Sequence, residues 1–209
     1  MAKLYFRYGT MDSSKTARLL MDAHEYEQRG EFALLLKSVL DTRSARGKIV
    51  SRIGLEADCT DVGKDENLLE MISNMPVKPS CIFVDESQFL TFEQVINLRM
   101  IVDLFGVPVM CYGLKTNFLG LLFDGSRALF EHANRYEEVK TICREDGCNH
   151  KAMYNGRFKD GKPVFNGEIV EVGDTEENSK DKSTYYYIPK CSEHFFKDYM
   201  KHQQNRGVL

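Results

Sequence analysis

The chain has 209 residues, of which 43% are apolar and 28% charged, and its 28 Lys and Arg against 31 Asp and Glu leave a formal net charge of −3. Its 13 Phe and 10 Tyr exclude a disordered chain, no apolar run approaches the ~18 residues of a membrane span, and Met1–Arg7 becomes charged too early for a secretory signal. We therefore expect a cytoplasmic protein with no nucleic-acid or membrane partner, whose six cysteines are thiols or metal ligands rather than disulfides.

Strands and helices alternate over the first two thirds of the chain, as apolar runs and helical spacing indicate. The predicted elements are a strand at Lys3–Tyr8, a helix at Lys15–Arg29, a strand at Phe32–Leu36, a loop at Asp41–Gly54, a helix at Asn67–Asn74, a strand at Cys81–Val84, a helix from Thr91 to Phe105 and a strand at Val107–Tyr112. Gly30 and Gly106 end two of these helices, and Thr91 forms a capping box with Gln94. This order predicts an α/β fold, a parallel sheet of the phosphate-loop type with helices on both faces and a ligand at the carboxyl ends of its strands.

Short β segments replace this alternation from about residue 139 onward. The predicted strands are Val139–Ile142, Lys151–Phe158, Val164–Val172 and Tyr185–Ile188, with turns at Asn155-Gly156 and Asp160-Gly161. Gly173–Thr184 is polar and predicts a mobile loop, and residues 192–204 predict a terminal helix. We therefore expect an α/β domain at 1–138, a small β-rich domain at 139–194, and a C-terminal helix and tail at 195–209.

Residues 9–16 match the phosphate-loop pattern G-x-x-x-x-G-K-[ST], except that Ser14 replaces the second glycine. Backbone N–H groups at a helix start bind anions, while Lys15 would reach the β- and γ-phosphates and the Thr16 hydroxyl would ligate Mg²⁺. Because Ser14 carries a Cβ, we expect its φ to be negative. An ordinary polar turn is the alternative, but the position between a predicted strand and helix favours a phosphate site. The ATP-binding candidates here are Gly9, Thr10, Met11, Asp12, Ser13, Ser14, Lys15 and Thr16.

Two acidic residues, Asp85 and Glu86, directly follow the predicted strand at Cys81–Val84. In phosphate-loop enzymes such an Asp holds Mg²⁺, and a neighbouring Glu could accept the proton of an attacking hydroxyl. Acids after a strand are otherwise more often a loop start or a helix cap, so it is the phosphate loop that makes this pair a candidate catalytic centre. Asp41 and Arg43 are weaker candidates, because a solvated Arg is the default in an Arg-rich loop.

Cysteine and histidine form two short-spaced pairs, Cys143 with Cys148 and Cys191 with His194. Three thiolates and one imidazole make a closed tetrahedral Zn²⁺ site, which would stabilise a strand-rich domain with little core of its own. Scattered cytosolic cysteines are the alternative, and the opposed pairs argue against it. His150 is a spare candidate ligand, since the first pair has four intervening residues where two are commoner.

The ordered combination of the phosphate loop, the Asp-Glu-x-Gln-Phe segment at 85–89 and the Cys₃His module resembles the cytosolic, zinc-containing (type II) thymidine kinase family, in a bacterial-like form. The resemblance covers roughly residues 3–194. It implies ATP-dependent phosphorylation of the 5′-hydroxyl of thymidine, and usually of deoxyuridine, in nucleotide salvage. It also implies Mg²⁺, structural Zn²⁺, a homotetramer and feedback inhibition by dTTP.

The resemblance implies roles for individual residues by position. Glu86 matches the family's catalytic base, and Asp41 with Arg43 matches its Asp-x-Arg beside the triphosphate. Further ATP-site positions follow the strand, at Asp85 (also a Mg²⁺ candidate with Thr16), Glu86, Ser87 and Gln88. The positions implied at the nucleoside are Met11, Phe89, Phe118, Phe123 and Tyr187. The zinc domain implies a lid over the nucleoside near Glu168–Tyr187.

Three alternatives stay open. Residues 139–194 could be the zinc ribbon of a nucleic-acid-binding protein, with Lys and Tyr interleaved at Lys182–Tyr187. The phosphate loop could belong to an ATPase or GTPase switch that needs no nucleoside acceptor. Ser14 could mark a family member that has lost activity. The sequence departs from the family pattern at three places, which are Ser14, the wide Cys143–Cys148 spacing and an extra hairpin turn at Phe158–Val164.

Overall fold

The computed structural model describes residues 1–167, 174–175 and 185–205. The chain divides into two compact units that are not contiguous in sequence. The first contains Met1–Tyr8, Ser14–Leu114 and Phe123–Glu138, and the second contains Gly9–Ser13, Lys115–Leu122 and the chain from Val139 onward. The phosphate-loop segment is thus shared, with Gly9–Ser13 in the second unit and Ser14 to Thr16 in the first.

A parallel sheet forms the centre of the first unit. The elements up to residue 138 are β1 (Leu4–Gly9), α1 (Lys15–Gln28), β2 (Ala33–Ser38), β3 (Lys48–Val50), β4 (Glu56–Asp58), β5 (Thr60–Val62), α2 (Leu68–Ser73), β6 (Cys81–Asp85), a 3₁₀ turn (Ser87–Phe89), α3 (Phe92–Phe105), β7 (Val109–Leu114), α4 (Asp124–His132) and β8 (Arg135–Glu138). Six strands form one sheet in the order β5-β2-β6-β7-β1-β8. The pairs β5·β2, β2·β6, β6·β7 and β1·β8 are parallel, which confirms the predicted fold class.

Helices cover both faces of this sheet, as predicted. Ile82 and Val84 of β6 point to the face covered by α2, α3 and α4 and belong to one buried apolar cluster. The alternate residues Cys81 and Phe83 belong to a second cluster, built with the apolar positions of α1. Because both faces of β6 are buried, the strand reads in the sequence as an unbroken apolar run.

Helix α3 begins and ends at the predicted signals. The Thr91 hydroxyl accepts a hydrogen bond from the Gln94 backbone N–H at 3.2 Å, and the Gln94 side chain accepts one from the Thr91 N–H at 3.1 Å. Gly106 ends the helix with φ 68°, in the left-handed region that glycine adopts without a Cβ penalty. These local signals confirm the predicted helix from Thr91 to Phe105.

Some elements of the first unit differ from the prediction. Asp41–Gly54 is not a continuous loop, because β3 pairs antiparallel with β4 as a small hairpin. The hairpin is held by one apolar residue, Ile49, which is buried in the α1-side cluster and too isolated to give a strand pattern. Helix α4 and strand β8 have no counterpart among the predicted elements.

The second unit contains β9 (Tyr154–Lys159), β10 (Lys162–Pro163), β11 (Asp174–Thr175), β12 (Tyr186–Lys190) and α5 (Ser192–Asn205). Its sheet has the order β10-β9-β12-β11. Asp160 and Gly161, with φ 50° and 73°, make the predicted turn between β9 and β10. Helix α5 confirms the predicted terminal helix. Within the described residues, no helix has the length and apolar character needed to cross a membrane.

Some predictions in this region are wrong, and others are untested. Asn155-Gly156 is not a turn but lies inside β9, where the two residues pair with Pro189 and Ile188 of β12. Val139–Ile142 is not a strand, since only Ile142 forms an isolated bridge, to Lys151. Residues 164–167, the described part of the predicted strand at Val164–Val172, do not form a strand either. The described residues do not include 168–172, most of the polar loop at 173–184 or most of the proposed lid at 168–187.

Candidate active site and metal centre

Asp85 and Thr16 meet at the carboxyl edge of the central sheet. Asp85 is the last residue of β6, and Thr16 lies in the first turn of α1. The Thr16 hydroxyl donates to Asp85 Oδ2 at 3.0 Å. Burial raises the pKa of Asp85 to about 7, and the neighbouring Glu86 charge adds to this. A hydroxyl beside a buried, poorly compensated carboxylate suits a hard cation such as Mg²⁺, so these two residues could hold one.

Glu86 is fixed in an uncommon backbone conformation. Its φ of 48° and ψ of 40° lie in the left-handed region, at the start of the 3₁₀ turn. Its Oε2 accepts a hydrogen bond from Gln88 Nε2 at 2.6 Å, and its Oε1 accepts one from Arg43. A non-glycine residue keeps such a conformation only where its surroundings determine it, which is common at functional sites. The carboxylate is thus held between an amide and a guanidinium.

The 3₁₀ turn packs closely on β7. Gln88 Oε1 accepts a hydrogen bond from the Leu114 N–H at 2.9 Å. A Cβ on Gly113 would lie 2.7 Å from both Ser87 Oγ and Gln88 Oε1, so only glycine allows this approach. Ser87 and Gln88, predicted as ATP contacts, have buried side chains that brace the turn carrying Glu86.

Arg43 bridges two carboxylates, although its side chain is 38% exposed. Its Nε donates to Asp41 Oδ1 at 2.8 Å, and its Nη2 pairs with Glu86. The Glu86 charge is the largest influence raising the pKa of Arg43. Burial would raise the pKa of Glu86, but the charges of Arg43 and Lys15, together with the hydrogen bonds from Gln88 and Arg43, outweigh burial and lower it. Glu86 is therefore ionised at neutral pH.

Lys15 completes this group of charges in the first unit. Its side chain is 8% exposed, and burial lowers its pKa to about 8 despite the opposing charges of Glu86 and Asp85. A buried ammonium beside two carboxylates is suited to bind an anion that carries a bound metal cation. The first unit thus gathers the predicted candidates Lys15, Thr16, Asp41, Arg43, Asp85 and Glu86 at one strand edge.

The expectation of a negative φ at Ser14 is wrong. Ser14 has φ 60° and ψ 26°, the left-handed conformation that the glycine of the usual pattern adopts freely. Among the described residues, positive φ outside glycine occurs at Asp12, Ser14, Glu86 and Asp160. Three of these four residues lie in the two candidate motifs, so backbone strain is concentrated there.

We expect Ser14→Gly to raise the free energy of unfolding by about 0.5–1 kcal/mol, because a Cβ in the left-handed region costs more than the extra chain entropy of glycine. Denaturant unfolding measures the change. Ser13→Gly is the matched control and should destabilise the chain, since the Ser13 hydroxyl is buried and donates to the Thr10 carbonyl at 2.8 Å. A destabilised Ser14→Gly chain would show that the Ser14 side chain makes a contact that outweighs the strain.

In the second unit, the segment from Gly9 to Ser13 depends on close packing. A Cβ on Gly9 would lie 2.4 Å from the Val139 carbonyl oxygen, so the first glycine of the pattern is sterically required. The Met11 N–H donates to Asn155 Oδ1 at 2.8 Å. Asn155 is buried in β9, and its contact with Met11 could not be predicted because Asn-Gly is a local turn signal.

The predicted nucleoside contacts fall in both units. Phe89 and Phe123 are half-buried in the first unit, with ring centroids 6.1 Å apart at 78°. In the second unit the buried Arg157 guanidinium lies 3.5 Å from the centroid of the Phe118 ring, so one face of that ring is already covered. Tyr187 pairs with Arg157 across the β9·β12 ladder. Arg157 is a further residue that the sequence patterns did not single out.

The four predicted zinc ligands come together in the second unit. The ligand atoms of Cys143, Cys148, Cys191 and His194 all lie within 4.8 Å of one another. Cys191 Sγ is 3.2 Å and Cys143 Sγ 3.6 Å from His194 Nδ1, and the Cys148 and Cys191 sulfurs are 3.9 Å apart. Bonds of about 2.0–2.3 Å to one tetrahedral ion place ligand atoms roughly 3.5–3.8 Å apart, so the four residues could hold Zn²⁺.

His150 is not part of this cluster. Its side chain is exposed, and its backbone carbonyl accepts a hydrogen bond from the Cys143 N–H at 2.9 Å. The turn between Cys143 and Cys148 is closed by a further backbone bond, from the Cys148 N–H to the Glu145 carbonyl at 3.0 Å. The wide spacing of the first pair is thus accommodated by a turn and does not prevent the two sulfurs from joining the cluster.

Comparison with known proteins gives one consistent result. The family model described as thymidine kinase matches residues 2–195. A thymidine kinase of Lactococcus lactis subsp. lactis (strain IL1403) is 42% identical over 197 residues, covering 94% of this chain and 98% of the relative. Thymidine kinases of Streptococcus gordonii and Streptococcus agalactiae serotype Ia are 42% and 40% identical, each over 94% of this chain and 97% and 98% of the relatives.

Proposed function

The chain belongs to the thymidine kinase family, and on that premise we propose that it transfers the γ-phosphoryl group of ATP to the 5′-hydroxyl of thymidine, and also to that of deoxyuridine. The observation that carries this proposal is the group of charges at the strand edge. Thr16 bonds Asp85, and the adjacent Glu86 is buried, ionised and influenced by the Lys15 charge. Such an arrangement suits phosphoryl transfer, where positioning and charge neutralisation supply most of the catalysis.

In the proposed reaction Glu86 accepts the proton of the 5′-hydroxyl at a carboxylate oxygen as the hydroxyl oxygen bonds the γ-phosphorus. The bond from the γ-phosphorus to the oxygen that bridges the β- and γ-phosphates breaks, and its electron pair leaves with ADP. Lys15 and Arg43 neutralise charge on the phosphate oxygens, and Thr16 with Asp85 would hold Mg²⁺. When bound, Mg²⁺ would neutralise developing charge on the β- and γ-oxygens. The Gln88 amide orients Glu86 through its bond to Oε2.

Arg43 has two duties in this proposal. Beside Glu86 it keeps the carboxylate ionised, which a general base requires. Beside a triphosphate it would neutralise the transferring group, as the family's Asp-x-Arg implies.

The family supports the remaining parts of the proposal. We propose that Met11, Phe89, Phe118, Phe123 and Tyr187 contribute to the thymine pocket, with Phe118 offering only the ring face that Arg157 leaves uncovered. The Cys₃His cluster would hold a structural Zn²⁺ at the base of a lid within 139–194. Inhibition by dTTP and a homotetramer rest on the family alone.

One assay separates this proposal from its alternatives. We expect release of ADP from ATP and Mg²⁺ to depend on thymidine or deoxyuridine, and to be far weaker with deoxycytidine or deoxyguanosine. Nucleotide hydrolysis that needs no nucleoside would instead indicate an ATPase or GTPase switch. Salt-dependent oligonucleotide binding without any kinase activity would favour the zinc-ribbon alternative. If no nucleoside is phosphorylated, ATP binding measured against a Ser14→Gly variant tests whether Ser14 has inactivated a family member.

A further inference from the structure

Lys37 is a buried lysine that binds one turn of the backbone. It lies in β2 and is 1% exposed. Its Nζ donates to the Lys48 carbonyl at 2.7 Å, to Ser44 Oγ at 2.8 Å and to the Ala45 carbonyl at 3.2 Å. The three protons of the ammonium are thus matched by three neutral oxygens, all from residues 44–48.

The sheet explains why a lysine occurs here. Lys37 stands opposite Asp85 in the parallel register of β2 and β6, at the carboxyl edge of the sheet. Two residues earlier, Leu35 belongs to the apolar cluster on the α1 side, which also contains Ile49 of the β3–β4 hairpin. Burying an ammonium is costly unless its protons are bonded, so this position favours a turn that offers three acceptors.

Asp61 holds the same turn from the neighbouring strand β5. Its Oδ2 accepts a hydrogen bond from the Gly47 N–H at 2.9 Å, and its Oδ1 lies 3.9 Å from Lys37 Nζ. The Gly47 carbonyl in turn accepts a hydrogen bond from the Cys59 N–H at 2.9 Å. Lys37 therefore binds oxygens of the turn, while Asp61 of β5 and Cys59, just before β5, bind the two backbone groups of Gly47, and the turn is fixed on two sides.

This turn begins immediately after Arg43. On the other side, the Asp41 N–H donates to the Ser38 carbonyl at 3.0 Å, so the start of the segment is tied to the end of β2. Between these two anchors Arg43 bonds Asp41 and Glu86. We propose that Lys37 is a positioning residue for phosphoryl transfer, which fixes the 44–48 turn and thereby holds Arg43 against Glu86. This rests on the proposed function, in which Glu86 is the base.

The contact between Arg43 and Glu86 makes this proposal measurable. Lys37 bonds the 44–48 turn and lies beside Asp61, so it acts on the candidate site only through that turn. If the turn loosens, Arg43 is no longer held against Glu86, and the carboxylate loses a guanidinium that orients it. Misplacing these groups would lower kcat and leave the KM for thymidine nearly unchanged. A residue that only stabilised the fold would leave kcat per folded molecule unchanged.

The test is Lys37→Met, which keeps a linear side chain of similar length and removes the ammonium. We expect kcat per folded molecule to fall about tenfold while the KM for thymidine stays within about twofold. Arg43→Gln should lower kcat at least as much. Combining the two changes should lower kcat no further than Arg43→Gln alone, since both act through one contact.

Lys48→Met is the matched control. Its ammonium pairs with Asp58 on the hairpin surface, while the contact to Lys37 uses only its backbone carbonyl. Ser44→Ala removes one of the three acceptors and should lower kcat by less than Lys37→Met does, which keeps the proposal testable if Lys37→Met does not fold. Amide hydrogen exchange at residues 43–47 should be faster in both variants and unchanged in Lys48→Met.

A folded Lys37→Met or Ser44→Ala chain with unchanged exchange and unchanged kcat would overturn the proposal. Failure of the proposed function gives a different result, because Glu86→Gln would then retain turnover and Arg43→Gln would leave kcat unchanged. In that case exchange at residues 43–47 still decides whether Lys37 holds the turn.

Discussion

Glu86→Gln is expected to lower kcat by about 10²–10⁴-fold while ATP and thymidine still bind. Glutamine has the size of glutamate and keeps an oxygen for Arg43, but it cannot accept the proton of the 5′-hydroxyl. The Glu86 side chain is buried and bonded to Arg43 and Gln88, so the backbone of the turn should be preserved. Thymidine-dependent ADP release measures turnover, and calorimetric titration of each substrate measures binding.

Glu25→Gln is the matched control, because Glu25 is exposed on α1 and takes no part in the candidate site. It should leave both kcat and binding unchanged. Near-normal turnover in Glu86→Gln would show that another group accepts the proton. Loss of ATP binding together with turnover would instead place Glu86 in nucleotide binding.

The site residues that could be predicted from the sequence share one property. At each of them, the local sequence pattern favours the same structure that the whole fold adopts. Cys81–Val84 reads as a strand because both its faces are buried, and the ends of parallel strands meet at one edge. Asp85, Glu86 and the start of α1 were therefore expected together. The paired spacing of cysteine and histidine was informative in the same way, because few other folds bring such pairs into contact.

The residues that the sequence missed depend on contacts between distant segments. Lys37 lies within a strand, and nothing in the sequence shows that its acceptors come 7 to 11 residues later. Asn155 carries a local turn signal that the β9·β12 pairing overrides. The prediction for Ser14 was wrong for a different reason. A negative φ at a residue with a Cβ is a preference and not a requirement. Here the surrounding loop outweighs the cost of the left-handed conformation, about 1–2 kcal/mol.

The positions with positive φ connect these observations. Ser14 starts α1 and Glu86 starts the 3₁₀ turn, so each lies where the chain changes direction beside the candidate phosphate site. Such a bend lets backbone N–H groups or a carboxylate face a ligand. The free-energy cost of the strained conformation is offset by the stability of the surrounding structure. Composition does not reveal this strain, since it does not tell which residues adopt the left-handed region.

Cys191→Ser is expected to abolish zinc binding and to unfold much of the second unit. Both buried apolar clusters of the described chain lie in the first unit, whereas the second relies on ring contacts such as Tyr154 on Phe195, 4.4 Å apart. Cys191 joins β12 to α5, and its carbonyl accepts the Phe195 N–H at 3.0 Å. A structural zinc site contributes about 10–16 kcal/mol of apparent binding free energy in small modules, comparable with the whole stability of a domain.

Metal analysis and thermal unfolding measure this effect, with Cys59→Ser as the control because Cys59 lies outside the cluster. The unchanged chain and Cys59→Ser should each hold one zinc ion, and a strong chelator should lower their unfolding temperature toward that of Cys191→Ser. Since the first unit has its own core, nucleotide binding by Lys15 and Thr16 should decline less than turnover. A Cys191→Ser chain that keeps full zinc content and activity would show that the cluster is not the metal site that stabilises this unit.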